Sequence, residues 1–135
     1  MNPVTQVQVS QIQVNLFCED VEQCLAFYTA FGFAEAFRTP QDGPPTHVEI
    51  DAAGTRIGLT SAATANELVR LGVTTPGTPS AEIALWCEDV DAAHERAVSV
   101  GARNLVEPTH SPDGRLRFAW VRDPEGHQLK FVQTR

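Results

Sequence analysis

The feature that most constrains this chain is a stretch that occurs twice. Residues 14–33, VNLFCEDVEQCLAFYTAFGF, are echoed at 83–102 by IALWCEDVDAAHERAVSVGA. Cys18-Glu19-Asp20-Val21 returns unchanged as Cys87-Glu88-Asp89-Val90, and Gly32 returns as Gly101 at the same spacing. In each copy, apolar residues alternate ahead of the shared tetrapeptide (Val14 and Leu16; Ile83 and Leu85), which is the period of a half-buried strand. Asp20 and Asp89 are suited to accept hydrogen bonds from the free N–H groups of a following helical turn. Val21, Cys24, Leu25, Tyr28 and Phe31 then fall at helical spacing, matched by Val90, Ala93, His94, Ala97 and Val100. Gly32 and Gly101 can take the left-handed conformation that ends a helix. The pattern is an internal duplication of a β–α unit.

Reading onward extends each copy. After the first strand (about 12–18) and helix (21–31), strands are expected at 34–39, 47–51 and 55–61, with a loop at 40–45 and a tight turn at 52–54. Residues 62–80 interrupt the pattern. Residues 66–71 offer a helical turn there, but the Pro- and Gly-rich end argues for a linker. The second copy repeats the order: strand 82–87, helix 90–100, strand 103–107, loop 110–114, strand 115–122, turn 123–126 and strand 127–133. Each half is therefore β-α-β-β-β. The expected class is α+β, as one domain over 1–135 with unit one at 12–61, the linker at 62–80 and unit two at 81–134.

Composition closes off several functions. The chain has 135 residues, 42% of them hydrophobic, enough for one core but short for two independent ones. It has no apolar run of the roughly 18 residues a membrane helix needs, and its start lacks the basic and apolar regions of a signal peptide. Cys18, Cys24 and Cys87 form no metal-binding spacing and leave an odd thiol, which points to a reducing cytoplasm. A net charge of −7 without a basic tract disfavours nucleic acid and anionic membranes, and favours a cationic ligand.

The paired β-α-β-β-β units, the first helix DVEQCLAFYTAFGF and the closing WVRDPEGHQLKFVQ resemble the vicinal oxygen chelate superfamily over roughly 12–133. That superfamily includes glyoxalase I, extradiol dioxygenases, the fosfomycin-resistance enzymes and the bleomycin-resistance binding proteins. The resemblance implies curled mixed sheets that each half-enclose a cup, commonly completed by a second chain, so a homodimer is expected. In the enzyme branches a divalent metal sits at the cup floor. The positions that supply its ligands fall here on Gln13, Gly58, Glu82 and Lys130. Gly58 has no side chain and Lys130 brings a competing positive charge, so neither a metal nor any other cofactor is expected. Glu82 and Lys130 are expected to pair instead.

Strand alternation places Val14, Leu16, Ile57, Leu59, Ile83, Leu85, Leu129 and Phe131 against the helices. The opposite faces supply the candidate ligand contacts: Asn15, Phe17, His47, Glu49, Arg56, Glu82, Trp86, Arg117 and Lys130. An inward Phe and Trp among polar groups suit a planar or amphipathic molecule; the other reading of Trp86 is packing between chains or half-domains. His94, His110 and His127 read as packing or surface residues, and His47 as the histidine facing the cup. His47 and Glu49 share a face, which leaves room for a displaced metal site. No nucleophilic triad is legible, so no catalytic residue is assigned. The leading expectation is a metal-independent small-molecule binding protein of the bleomycin-resistance type, protecting against an antibiotic by sequestration. The alternatives are a metal-dependent lyase, isomerase, transferase or dioxygenase with atypical ligands, and a module that senses or carries a metabolite.

Overall fold

The computed structural model describes residues 8, 10–75, 79 and 81–135. Its elements run β1 (Val14–Cys18), α1 (Val21–Phe31), β2 (Ala34–Thr39), β3 (His47–Ala52), β4 (Thr55–Ser61), α2 (Ala62–Val69), β5 (Glu82–Trp86), α3 (Val90–Ser99), β6 (Arg103–His110), β7 (Leu116–Arg122) and β8 (Gln128–Thr134). They build two four-stranded sheets of one topology, β1-β4-β3-β2 and β5-β8-β7-β6. In each, the first strand pairs parallel with the fourth and the other pairs are antiparallel. The fold is the expected α+β arrangement of two β-α-β-β-β units in mixed sheets.

The caps follow the repeat. Asp20 Oδ1 accepts from the Gln23 N–H and Asp89 Oδ1 from the Ala92 N–H, each at 3.1 Å. Gly32 and Gly101, at φ 137° and 120°, let the chain turn out of each helix. The following residues close the ends: the Phe33 N–H donates to Tyr28 O and the Ala102 N–H to Ala97 O, each at 2.9 Å.

Each helix covers one face of its own sheet. Val21, Cys24, Leu25 and Tyr28 of α1 lie with Val48, Ile50, Ile57 and Leu59, while Val90 and Ala97 of α3 lie with Ala119, Val121, Leu129 and Phe131. Both sets join in one apolar cluster, and Phe31 stacks on Phe131 across the units at 5.6 Å. Burial of each large apolar side chain stabilises the fold by about 1.5–3 kcal/mol. His94 is buried in this layer as a packing residue, with Nε2 2.7 Å from Asn104 Oδ1.

Several expectations need correction. Val14 is 46% exposed rather than core, because it starts an edge strand. β1 begins at Val14 and β6 extends to His110. Ala62–Val69 is a helix where a linker was expected: the Ser61 hydroxyl caps it by accepting from the Thr64 N–H at 3.1 Å, and good helix formers fill the turn behind it. The Asn66 amide then fixes the chain beyond, donating to Val73 O and accepting from its N–H at 2.9 and 2.8 Å. Most of the N-terminal arm and linker positions 76–78 and 80 lie outside the described residues.

Candidate functional site

Each sheet leaves one face uncovered by its helix. On sheet one, register puts Asn15 beside Gly58 and Glu49, and Phe17 beside Thr60 and His47. Gly58 is the centre of this face. A Cβ there would overlap the Asn15 amide oxygen and come within 2.8 Å of His47 Cε1 and 3.0 Å of Gln13 Nε2. The missing side chain is what lets these groups close over the strand. Gln13 Nε2 donates to Asn15 Oδ1 at 2.9 Å and to Glu49 Oε2 at 3.3 Å, and Arg56 Nη1 donates to Glu49 Oε1 at 2.9 Å. His47 Nε2 lies 3.0 Å from Glu49 Oε2 and Nδ1 lies 2.8 Å from Thr60 Oγ1. The hydrogen bonds from His47, Arg56 and Gln13 outweigh partial burial and hold the Glu49 carboxyl below its usual range. Because that carboxylate is an acceptor, Nε2 carries the proton, and in the neutral ring Nδ1 accepts from the Thr60 hydroxyl.

Sheet two carries different chemistry on the matching face. Glu82 Oε1 accepts from Gln128 Nε2 at 2.7 Å and from Trp120 Nε1 at 3.0 Å. Lys130 Nζ lies over the rings of Trp120 and Phe118, 5.3 and 5.5 Å from their centroids. The expected Glu82–Lys130 pair is replaced by these contacts. Parallel register sets Glu82 beside Gln128 and leaves Ala84 beside Lys130, while antiparallel register sets Trp120 beside Lys130.

Of the nine candidate residues, Asn15, His47, Glu49 and Arg56 belong to or adjoin the Gly58 network. Asn15, Phe17 and Glu82 also line a cavity of about 430 Å³ between β1 and β5, together with Gln128 and His127. Lys130 lies on the uncovered face of sheet two. Trp86 shares the Glu82 side of β5 by alternation, yet it is 67% exposed and lines a different cavity. Arg117 is on the wrong face for the expected role: it pairs in register with Gln133 and binds Asp91 of α3 through Nε and Nη2, at 2.6 and 2.8 Å. Trp120 and Phe118 take part where the sequence reading had assigned no contact. Trp120 pairs in register with Lys130.

A further polar centre escaped the sequence reading. Asp123, in the turn before β8, is 3% exposed. Its Oδ2 accepts from the Tyr28 hydroxyl at 2.6 Å and from His127 Nδ1 at 2.7 Å, with Cys24 Sγ at 3.7 Å. His127 Nε2 donates to Phe17 O at 2.8 Å, and both Glu125 carboxylate oxygens accept N–H bonds, from Glu19 at 3.0 Å and Asp20 at 2.8 Å. These bonds join the two units. Burial alone would lower the His127 pKa, but the Asp123 carboxylate outweighs it and pushes it up to about 9. Burial opposes the Asp123 charge, but the bonds from His127 and Tyr28 prevail and hold it below the usual range.

The donor set does not fit the divalent metal that the resemblance implies. Gly58 offers nothing, Lys130 offers an ammonium, and one Glu82 oxygen already serves two donors. The displaced alternative at His47 and Glu49 has its single carboxylate neutralised by Arg56 at 2.9 Å. Among the described residues, the one trio of His, Cys, Asp and Glu groups close enough to share an ion is Cys24, Asp123 and His127. Both ring nitrogens of His127 there act as donors, so it has no lone pair to give.

Among the described residues no helix is long and apolar enough to cross a membrane. No curated protein matches the sequence. Solved structures do match the fold: hypothetical protein SA1046 from S. aureus, at 24% identity and TM-score 0.79 over 95% of this chain and 96% of that one; TioX from Micromonospora sp. ML1, at 26% and 0.72 over 94% and 100%; and lactoylglutathione lyase from Agrobacterium tumefaciens, at 15% and 0.67 over 95% and 96%. The family profile of the Glyoxalase/Bleomycin resistance protein/Dioxygenase superfamily matches residues 10–131. The chain belongs to that superfamily.

Proposed function

We propose that the protein binds a small molecule on the uncovered sheet faces without a metal ion, in the manner of the bleomycin-resistance members of its superfamily. One observation supports this reading: Asn15, His47 and Gln13 crowd the space a side chain at Gly58 would take, where the resemblance would put a metal ligand, and the reading takes that polar network as a binding surface. Asn15, Phe17, His47, Glu49, Arg56, Glu82 and Lys130 are the proposed contacts, with Trp120 and Gln128 orienting Glu82. The second Glu82 oxygen can accept from a ligand amine, and the net charge of −7 draws cationic molecules toward the protein. An amphipathic, cationic or aromatic antibiotic is the ligand class this surface suits, with sequestration as the outcome and no catalytic residue required.

The reading takes residues 1–135 as one domain, working in a reducing cytoplasm where Cys18, Cys24 and Cys87 stay free thiols. It includes a homodimer, for which exposed Phe37, Leu105 and Val106 supply apolar surface. Light scattering showing a monomer at tens of micromolar removes the dimer. The function itself is tested by titrating a panel of cationic and aromatic antibiotics by calorimetry in the presence and absence of chelator. Saturable binding indifferent to chelator is expected. Binding or turnover that requires added divalent metal would instead establish the superfamily's metal-dependent chemistry.

A further inference from the structure

The internal repeat makes two junctions comparable. Phe17 pairs with Thr60 on sheet one as Trp86 pairs with Val132 on sheet two. Counting back along β4 and β8 from those pairs matches Thr55 to His127, Ala53 to Glu125 and Asp51 to Asp123. The turns between those strands differ in length: Ala52 pairs with Thr55 about Ala53 and Gly54, at φ 53° and 83°, whereas the Asp123 N–H donates to His127 O about a turn one residue longer, in which Gly126 stands at φ 90°. On the helices, Cys24 and Tyr28 correspond to Ala93 and Ala97. At one junction a histidine ring from the hairpin donates to the Phe17 carbonyl on the free edge of β1. At the other, alanines and Thr55 stand where Cys24, Tyr28, Glu125 and His127 would be.

The Trp86 carbonyl has the orientation of its Phe17 counterpart. The Cys87 N–H donates to Val132 O at 2.9 Å. In a trans peptide the C=O and N–H point opposite ways, so the Trp86 C=O turns away from β8 toward the free edge. That edge borders a cavity of about 440 Å³ walled by Phe31, Phe33, Phe131, Trp86, Ala53 and Ala93, with no charged side chain among the described residues that line it. Phe31 already stacks on Phe131 at 5.6 Å and meets Phe33 edge-on at 5.4 Å, leaving aromatic surface at the wall. Thr55 is too short to replace a histidine ring.

We propose that this cavity is a second ligand site, separate from the Gly58 and Lys130 faces, for a neutral planar ring bearing one N–H. The ring packs among the aromatic walls and its N–H donates to the Trp86 carbonyl, as His127 does to Phe17 at the mirror junction. Neutrality follows from a lining without a carboxylate to offset a charge. This proposal goes beyond the one for the uncovered faces and does not depend on it.

Benzimidazole, in mildly alkaline buffer where it is neutral, is the probe, titrated by ligand-detected NMR against the full chain. Saturable binding is expected, about tenfold weaker for 1-methylbenzimidazole, which lacks the N–H. Ala93→Leu, which fills the cavity, should abolish binding. So should Thr55→His, which sets an imidazole at the place of His127 and offers the Trp86 carbonyl a donor from the chain itself. Trp86→Ala, at an exposed position that folding should tolerate, should weaken binding about tenfold or more. Equal binding of the two benzimidazoles, or binding unchanged in a folded Trp86→Ala chain, overturns the site. A dimer by light scattering that dissociates on Ala93→Leu overturns it too, by making the cavity a contact between copies.

Discussion

The two halves of this chain share a frame and differ in what each lays on it. Sheet one presents an amide, imidazole and carboxylate network closed over Gly58; sheet two presents Lys130 on two aromatic rings beside a Glu82 held by Trp120 and Gln128. At the hairpins the difference is sharper. Asp51 is exposed and only braces its own turn, whereas its counterpart Asp123 is buried and ties α1 to β8 through Tyr28 and His127. The two units share sheet order and helix caps but not hairpin backbones. Side-chain replacement gave one hairpin the work of joining the units and left the other beside an apolar cavity.

The largest expected effect breaks that asymmetry. Asp123→Ala leaves the Tyr28 hydroxyl and a charged His127 without their buried acceptor, and should cost about 3–5 kcal/mol. Asp51→Ala should cost no more than about 1 kcal/mol. Urea denaturation of both variants measures the difference; similar losses would remove the distinction between the hairpins.

The junction also predicts a pH dependence. His127 has a folded pKa of about 9 against an ordinary 6.5, so its contribution is complete below about pH 6.5 and is lost as pH rises through about 9. After allowance for solvent screening, this amounts to about 1–2 kcal/mol. Melting temperature should fall across that window in the native protein and stay flatter in His127→Gln. A native profile that is flat from 6.5 to 9 would contradict the assigned imidazolium.

How far the sequence showed all this depended on the kind of evidence each feature leaves. The repeat and the alternation around Leu16, Ile57, Leu59 and Phe131 revealed both sheets, because burial on one face writes a period into the chain. Alternation failed on β7, where Leu116, Phe118 and Trp120 make one face as apolar as Ala119 and Val121 make the other. Arg117 was therefore read onto the wrong side. The Glu82–Lys130 expectation failed because strand register, which no single strand encodes, sets Gln128 rather than Lys130 beside Glu82. The role of His127 depends on Phe17, far off in sequence, and a lone histidine carries no mark of such a contact. Gly58 was legible as a position without a side chain, but not as the floor on which Asn15, Gln13 and His47 converge.

Two smaller effects sharpen the contrast between the faces. Gly58→Ala drives the Asn15 amide off its seat and crowds the His47 ring; it should cost about 1–2 kcal/mol and weaken ligand binding on sheet one, read by urea denaturation and calorimetry. Lys130→Met keeps the aliphatic packing and removes the ammonium above Trp120 and Phe118, for a loss of about 0.5–1 kcal/mol. A markedly larger loss would show that Lys130 has a partner beyond the rings.

The central claim is that a closed polar surface has replaced the metal floor. Elemental analysis of protein purified without chelator tests it most directly, with Gly58→Glu/Lys130→Glu alongside as the chain in which the missing carboxylates are restored. The account predicts substoichiometric divalent metal in the native protein and gain of zinc or nickel affinity in the double variant, once Asn15 has yielded to the new side chain. About one transition-metal ion per native chain, lost on Glu82→Ala, would contradict it.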